Sequence, residues 1–226
     1  VTAIYAAVSV PLGLIFSLAL ALLLNLNIKG MRLFRAIFYI PAILPPIAVS
    51  MVWLMLFKPE GGILNVLLGY LHIAPVPWLT STEWALPSFI LMSLWGVGGG
   101  MIIYLAGLQS VPTQLYESAE IDGAGSWSKF RNVTLPMISP TILFNLIMGV
   151  IGSFQVFASS FVMTQGGPAY STLFYVLYLY QNAFMYLKMG YASALAWVLF
   201  IIILVLTLAL LKSSSAWVYY ESELKK

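Results

Sequence analysis

Five stretches of the chain, at about 3 to 25, 36 to 57, 85 to 108, 136 to 164 and 190 to 211, contain no Asp, Glu, Lys, Arg or His. A helix crosses a hydrocarbon layer with roughly 20 apolar residues, and each stretch meets that length. Lipid offers the backbone no hydrogen bonds, so a spanning segment must pair its own groups in a helix or join a closed barrel. Alternation of apolar and polar residues at period two is missing throughout, which argues against a barrel. The expected fold class is therefore all-α and integral to the membrane: a polytopic helical bundle with five spans, forming a single transmembrane domain over residues 1–226.

Composition agrees. Hydrophobic residues make up 62% of the chain and charged residues 8%, whereas a soluble domain carries about 25% charged residues. That nearly excludes a soluble enzyme. The net charge of +3, spread over scattered bases, does not suggest a nucleic-acid surface. There is no cysteine and one histidine, His72, so a disulfide framework, a thiolate site and a multi-histidine metal site are ruled out. His72 falls in a loop and reads as a surface or packing residue. No span carries an ionisable group, which weighs against a proton relay; energy for any transport comes from elsewhere. Val1 is not a start methionine and no charged leader precedes the first apolar run, so the chain reads as the remainder of a longer protein.

Positive charge sets the expected orientation. Lys29, Arg32 and Arg35 follow the first stretch, Lys129 and Arg131 the third, and Lys212, Lys225 and Lys226 the fifth; only Lys58 and Lys188 fall on the other side. The positive-inside bias makes the majority face cytoplasmic, with the C-terminus inside. The two external segments read as compact. Residues 58 to 84 hold apolar positions Ile63, Leu64, Leu67, Leu68 and Leu71 at helical spacing, which predicts a short interfacial helix. Residues 165 to 189 are rich in tyrosine, which favours the headgroup level, and a second, partly embedded helix is expected there.

The 109–135 loop is longer than a connection requires. Ser110 as cap and Pro112 in the first turn open a predicted helix bearing Val111, Leu115 and Ala119 on one face, and Gly123 ends it. A second predicted helix starts at Ser126, carries Trp127, Phe130 and Val133, and ends at Pro136, with Ser139-Pro140 starting the next span. Such a loop is suited to docking.

Glu117-Ser118-Ala119, three residues, Gly123, nine residues, Val133, one residue and Leu135-Pro136 match the Glu-Ala-Ala, Gly, Ile, Leu-Pro signature of permease subunits of bacterial ABC importers. Ser118 and Val133 are the departures. Tyr39-Ile40-Pro41, Leu44-Pro45-Pro46, Trp53, Gly62 to Asn65, Leu105 to Tyr116, Gly166-Gly167-Pro168 and Gly190-Tyr191-Ala192 resemble the carbohydrate-uptake branch of that family, the branch typified by the larger maltose permease subunit and the glycerol-phosphate permease. The resemblance covers nearly the whole chain. It implies the type I importer permease fold in a bacterial plasma membrane, with a first N-terminal span missing from this chain. It also implies an ATPase-coupling role for Glu117, Ser118, Ala119, Asp122, Gly123, Leu135 and Pro136. The implied partners are a second permease subunit, two ATPase subunits, an extracytoplasmic solute-binding protein, a sugar-like substrate and the lipid bilayer. No cofactor is expected on this chain; ATP and Mg belong to the ATPase subunits.

For the substrate pathway the resemblance points to Trp95, Gly99, Asn145, Gly149, Ser153 and Gln155. Glycine admits a close ligand, Asn, Ser and Gln can bond hydroxyls, and an indole face can stack on a sugar ring; the same residue types also serve ordinary helix packing. A secondary carrier or channel not coupled to ATP, and a membrane subunit that only anchors other proteins, are the competing classes; the signature loop weighs against both.

The orientation is directly testable, because the chain has no native cysteine to give a background. A cysteine at Thr113 or Ser215 should react with an impermeant reagent only from the cytoplasm, and one at Ser81 or Ala169 only from outside. Labelling of position 113 from outside would invert the topology.

Overall fold

The structure, a computed structural model, describes residues 1–26 and 28–219. Among these residues every regular element is helical: α1 (Thr2–Leu24), α2 (Met31–Ile43), α3 (Pro46–Leu56), α4 (Ile63–Tyr70), α5 (Ala85–Trp95), α6 (Gly98–Ser110), α7 (Thr113–Ile121), α8 (Ser126–Lys129), α9 (Leu135–Met137), α10 (Ser139–Phe154), α11 (Ala158–Met163), α12 (Tyr175–Tyr180) and α13 (Met189–Ser214). A π-helical turn over Phe130–Thr134 joins α8 to α9, and another over Gln181–Met185 follows α12. By length and apolarity, three helical stretches suffice to cross a membrane: Thr2–Leu24, Ser139–Met163 and Met189–Ser214; α2 with α3 and α5 with α6 bring the number to five if each bent pair is one span.

Three of the expected spans are not continuous helices: 136–164 is interrupted at Ile138 and at 155–157, and the other two are bent. α2 and α3 meet at 97°, and α5 and α6 at 43°. The first bend has a local cause. Pro45 and Pro46 supply no N–H, and a residue before proline is driven out of the helical region; Leu44 and Pro45 are accordingly extended, with ψ of 142° and 133°. The second bend falls at Gly96 and Val97, between α5 and α6. Gly98 then lets α6 lie directly on the backbone of α2, since a Cβ there would collide with the Phe38 carbonyl.

α1 is the central post, packed against α5, α6 and α10, while α3 packs on α11 and α13 on α10. Two buried clusters mark its ends. One joins Ala21 and Leu24 to Met101, Tyr104, Leu108, Val111 and Ile138; the other joins Tyr5 to Trp53, Phe57, Phe89, Met163 and Phe174. The 109–135 loop therefore lies at the same end as the 26–35 connection. Tyr219 N–H donates to Ser139 Oγ at 2.8 Å, which brings the C-terminal end of α13 to that end too. Lys29, Arg32, Arg35, Lys129, Arg131 and Lys212 thus share one end, as the charge pattern required. Lys225 and Lys226 lie outside the described residues.

At the opposite end the 58–84 segment contains the expected helix, α4. His72 terminates it: its φ of 59° and the bonds from His72 N–H to Gly69 O and Ile73 N–H to Leu68 O, both 3.0 Å, make a left-handed helix stop that usually falls to glycine. Asn65 holds the segment together. Its Nδ2 donates to the carbonyls of Pro59 and Val76, each at 3.0 Å, and its Oδ1 accepts from Val76 N–H at 3.0 Å and Trp78 Nε1 at 2.9 Å. In the 165–189 segment the helix is α12 with its π turn, and Tyr175 N–H ties it to Thr2 Oγ1 at 2.9 Å. The Gly166-Gly167-Pro168 loop is shaped by hydroxyls, Thr172 Oγ1 donating to Gly167 O and Ser160 Oγ to Thr172 O, both at 2.6 Å.

Asn65→Ala removes all four bonds at a residue that is 8% exposed and strands the Trp78 indole N–H. We expect a loss of about 2–4 kcal/mol, read as a fall in melting temperature of the assembled complex. Asn132→Ala, which removes one exposed bond to Ser128, should stay within about 0.5 kcal/mol. Equal effects would refute the role given to Asn65.

Candidate translocation cleft and docking loop

A cleft of about 450 Å³ opens between α1, the α5–α6 bend and α10. α1 contributes Tyr5, Ser9, Gly13 and Ser17, each four residues after the last and so on one helix face. α10 contributes Asn145, Gly149 and Ser153 at the same spacing, together with Gly152. The bend contributes Ser93, Gly96 and Gly100. The serines are anchored on helix carbonyls: Ser93 Oγ donates to Ile90 O at 2.7 Å and Ser153 Oγ to Val150 O at 2.8 Å. Ser17 Oγ donates at 3.1 Å to the Val97 carbonyl, across from α1 to the bend. A hydroxyl whose proton is committed in this way keeps lone pairs that accept from a ligand. Asn145 Nδ2 donates to Thr141 O at 3.1 Å. A Cβ on Gly100 would lie 2.9 Å from Ser17 Oγ and 3.3 Å from Asn145 Oδ1, so glycine there lets two polar groups of different helices approach one point.

Three of the six residues suggested for the pathway, Asn145, Gly149 and Ser153, stand in this wall. Trp95 does not; its ring meets Trp53 edge-on, with centroids 6.1 Å apart. Gly99 faces the Ala42 side chain of α2, 3.7 Å from where its Cβ would be. Gln155 is the exposed C-cap of α10. The α1 face was overlooked in the sequence. Its signal was available: small or polar residues at 9, 13 and 17, every fourth position of an otherwise apolar span.

The docking loop departs from its expected caps. Ser110 is the last residue of α6 and donates to Gly107 O at 2.7 Å, so α7 begins after Pro112 with no side-chain cap. Ser126 likewise makes no cap bond; Gly125 precedes α8. Pro136 does not end the second helix: it sits in α9 directly after the π turn, and the helix runs on through Met137. The break comes two residues later at Ile138, with φ of −91° and ψ of 2°. The stop at Gly123 is as expected. With φ at 79° it sends its N–H to Glu120 O at 3.0 Å, while Ala124 N–H reaches Ala119 O at 2.8 Å, a paired closure that holds the turn rigid.

On the outer side Glu117, Ser118 and Asp122 are exposed, and so are Ile121 and Trp127, at 87% and 71%. Large apolar side chains this open at a helix end are a docking feature. Trp127 is one of the residues expected on the second loop helix, whereas Ile121 lies outside the positions that the sequence pattern marked. On the inner side Ala119, Leu135 and Pro136 are half-buried. Tyr116 OH and Thr134 Oγ1 lie 3.0 Å apart and join α7 to the π turn. Tyr116, Val133 and Met137 pack on the cluster around Ile138, whose N–H bonds to Thr134 O at 3.0 Å. Ile138 leads straight into α10, so contiguous packing runs from the exposed loop to Asn145 and Ser153 in the cleft. The Glu120–Lys129 ion pair also bridges α7 and α8, yet it is exposed and worth little.

A family model described as binding-protein-dependent transport system inner membrane component matches residues 9–218. The chain belongs to that family. It is a permease subunit of an ABC importer, a membrane subunit and not an enzyme. A probable ABC transporter permease, YesP of Bacillus subtilis (strain 168), is 42% identical over 99% of this chain and 73% of its own length. The sulfoquinovosyl glycerol transport system permease SmoG of Agrobacterium fabrum is 35% identical over 93% of this chain and 69% of its own. Among solved structures, a bacterial alginate ABC transporter in complex with an alginate pentasaccharide-bound periplasmic protein superposes with a TM-score of 0.83 at 26% identity, covering 94% of this chain and 75% of that one.

Ser153 tests the cleft of this permease. Leucine there adds bulk at a side chain that is 7% exposed and borders the cleft, so solute uptake should fall roughly tenfold, about 1.4 kcal/mol, while the complex still assembles. Unchanged uptake would make Ser153 a packing residue.

Proposed function

We propose that the chain forms half of the membrane pathway for a sugar or sugar-like polyol, handed over by an external binding protein and driven by separate ATPase subunits that grip the 109–135 loop. The second half belongs to another permease subunit. ATP and Mg are held by the two ATPase subunits and no cofactor by this chain. The loop end is cytoplasmic and the Asn65 end external, in keeping with the charge distribution. The observation that carries this reading is the union of the two features in one packed unit: a cleft lined by hydroxyl acceptors and glycines, and a rigid, exposed loop continuous with its α10 wall. A hydroxyl-rich solute suits acceptors of that kind, and the solutes named for SmoG and the alginate transporter are of that class.

In this reading ATPase closure pushes on α7, and α10 follows because Tyr116, Thr134 and Ile138 couple them. Such a push shifts an equilibrium only through a contact whose energy differs between the two states. Glu117, exposed and acidic, supplies the contact to a basic group; Ile121 and Trp127 add apolar area. Ser118, Ala119 and Asp122 shape the same helix, Gly123 turns the chain, and Leu135-Pro136 carries the motion inward.

Uptake and ATP hydrolysis measured together in vesicles containing the complex, binding protein and solute test the loop. Glu117→Lys places repulsion at a partly desolvated contact, a cost of about 2–5 kcal/mol, and should abolish solute-stimulated hydrolysis and uptake. Gly123→Val strains a left-handed turn and should uncouple hydrolysis from uptake with the docking charge intact. Gln181→Ala, at the opposite end, should leave coupling unchanged. Normal uptake with stimulated hydrolysis in both loop variants would refute the coupling role.

A further inference from the structure

The connection between α1 and α2 gathers three cations around a recess that the transport reading leaves unused. α1 ends at Leu24, and the chain turns through Gly30, whose φ of 89° permits the reversal, into α2. The turn encloses a volume of about 530 Å³ walled by Leu26, Ile28, Lys29, Met31, Arg32 and Arg35. Among the described residues the wall has three cations and no carboxylate.

Arg35 is fixed in place. Its Nε and Nη2 donate to the Leu24 carbonyl at 3.1 and 2.8 Å, closing the negative end of the α1 dipole and holding the guanidinium at the recess. Lys29 and Arg32 have no hydrogen-bond or ion-pair partner among the described residues, in contrast with Lys129, which pairs with Glu120 at the same end of the bundle. α2 has 13 residues and no side-chain N-cap, so its first turn adds a positive dipole end to the site. Like charges held together repel until an anion joins them, and a phosphate accepts from several such donors at once. The surroundings are apolar as well: Leu26, Ile28, Leu33 and Phe34 are all more than half exposed.

We infer that this recess is a phosphate-binding site, and its apolar rim points to the phosphate of an anionic phospholipid whose acyl chains lie along Leu33 and Phe34. A general excess of positive charge at one face of a membrane protein needs neither a recess nor a guanidinium anchored on a helix carbonyl. The inference is independent of the solute transported and of how the loop couples to ATP.

The test is native mass spectrometry on the delipidated complex in detergent, titrated in parallel with phosphatidylglycerol, phosphatidylcholine and inorganic phosphate. Phosphatidylglycerol should bind the wild-type complex roughly thirtyfold more tightly than the Lys29→Gln, Arg32→Gln double variant, with phosphatidylcholine indifferent to the change. Arg35 is left intact because it caps α1, and Lys212→Gln should bind like wild type. If the double variant fails to assemble, each single variant should show about a fivefold loss. Inorganic phosphate binding with the same dependence on Lys29 and Arg32, without lipid selectivity, would keep the phosphate site and assign it to a soluble ligand. Equal phosphatidylglycerol affinity in wild type and variants, with no phosphate dependence, would overturn the inference.

Discussion

Inside a hydrocarbon layer each backbone N–H and C=O has to find its partner within the protein, and most of this architecture follows from where that requirement is met by a plain helix and where it is not. α13 meets it alone, and α1 does so except at Pro11, which has no N–H to give. α2–α3 and α5–α6 interrupt it, and the interruptions are covered by neighbours. Ser17 of α1 reaches the Val97 carbonyl at the α5–α6 bend, and α2 closes over Gly98 backbone to backbone. The same bend supplies a wall of the cleft. Hydroxyls and glycines of the bend meet there those carried at four-residue spacing by the regular helices α1 and α10.

The loop end has a different logic. Its rigidity comes from backbone closure at Gly123 and from the Tyr116 and Thr134 contact, and the exposed Glu120–Lys129 pair adds little. The proposed coupling role calls for stiffness on the inner side of the loop and open chemistry on its outer side. Ala119, Leu135 and Pro136 are accordingly half-buried, whereas Glu117, Ile121, Asp122 and Trp127 face outward. The π turn over Phe130–Thr134 and the break at Ile138 set the angle at which this unit enters α10. Local backbone choices in the loop thereby reach the cleft wall.

Much of this was readable in the residues. Charge-free stretches of membrane length, the grouping of cations at one end, the short helix at 63–70 and the glycine stop at 123 all follow from local chemistry that acts over a few neighbours. The family spacing from Glu117 to Pro136 was readable for the same reason, since it is a pattern within one segment. Cap positions were not. Ser110 and Ser126 have the right chemistry for N-caps, but α6 runs on through Ser110, and a backbone turn at Gly125 opens α8 without a side-chain bond.

The sequence by itself determined that the chain is helical and membrane-spanning, which end of the bundle is basic, and which loop carries the docking pattern, because each depends on composition or on spacing along one element. Only the tertiary structure decided that the 36–57 stretch turns by 97° and that Ser9 and Ser17 join Asn145 and Ser153 around one cleft while Trp95, Gly99 and Gln155 stay outside it. The physical reason is the same in each case. A proline announces a break but not its angle, and a serine on an apolar helix announces polarity but not its partner; both are settled by which helices pack against that face, and no single segment contains that information.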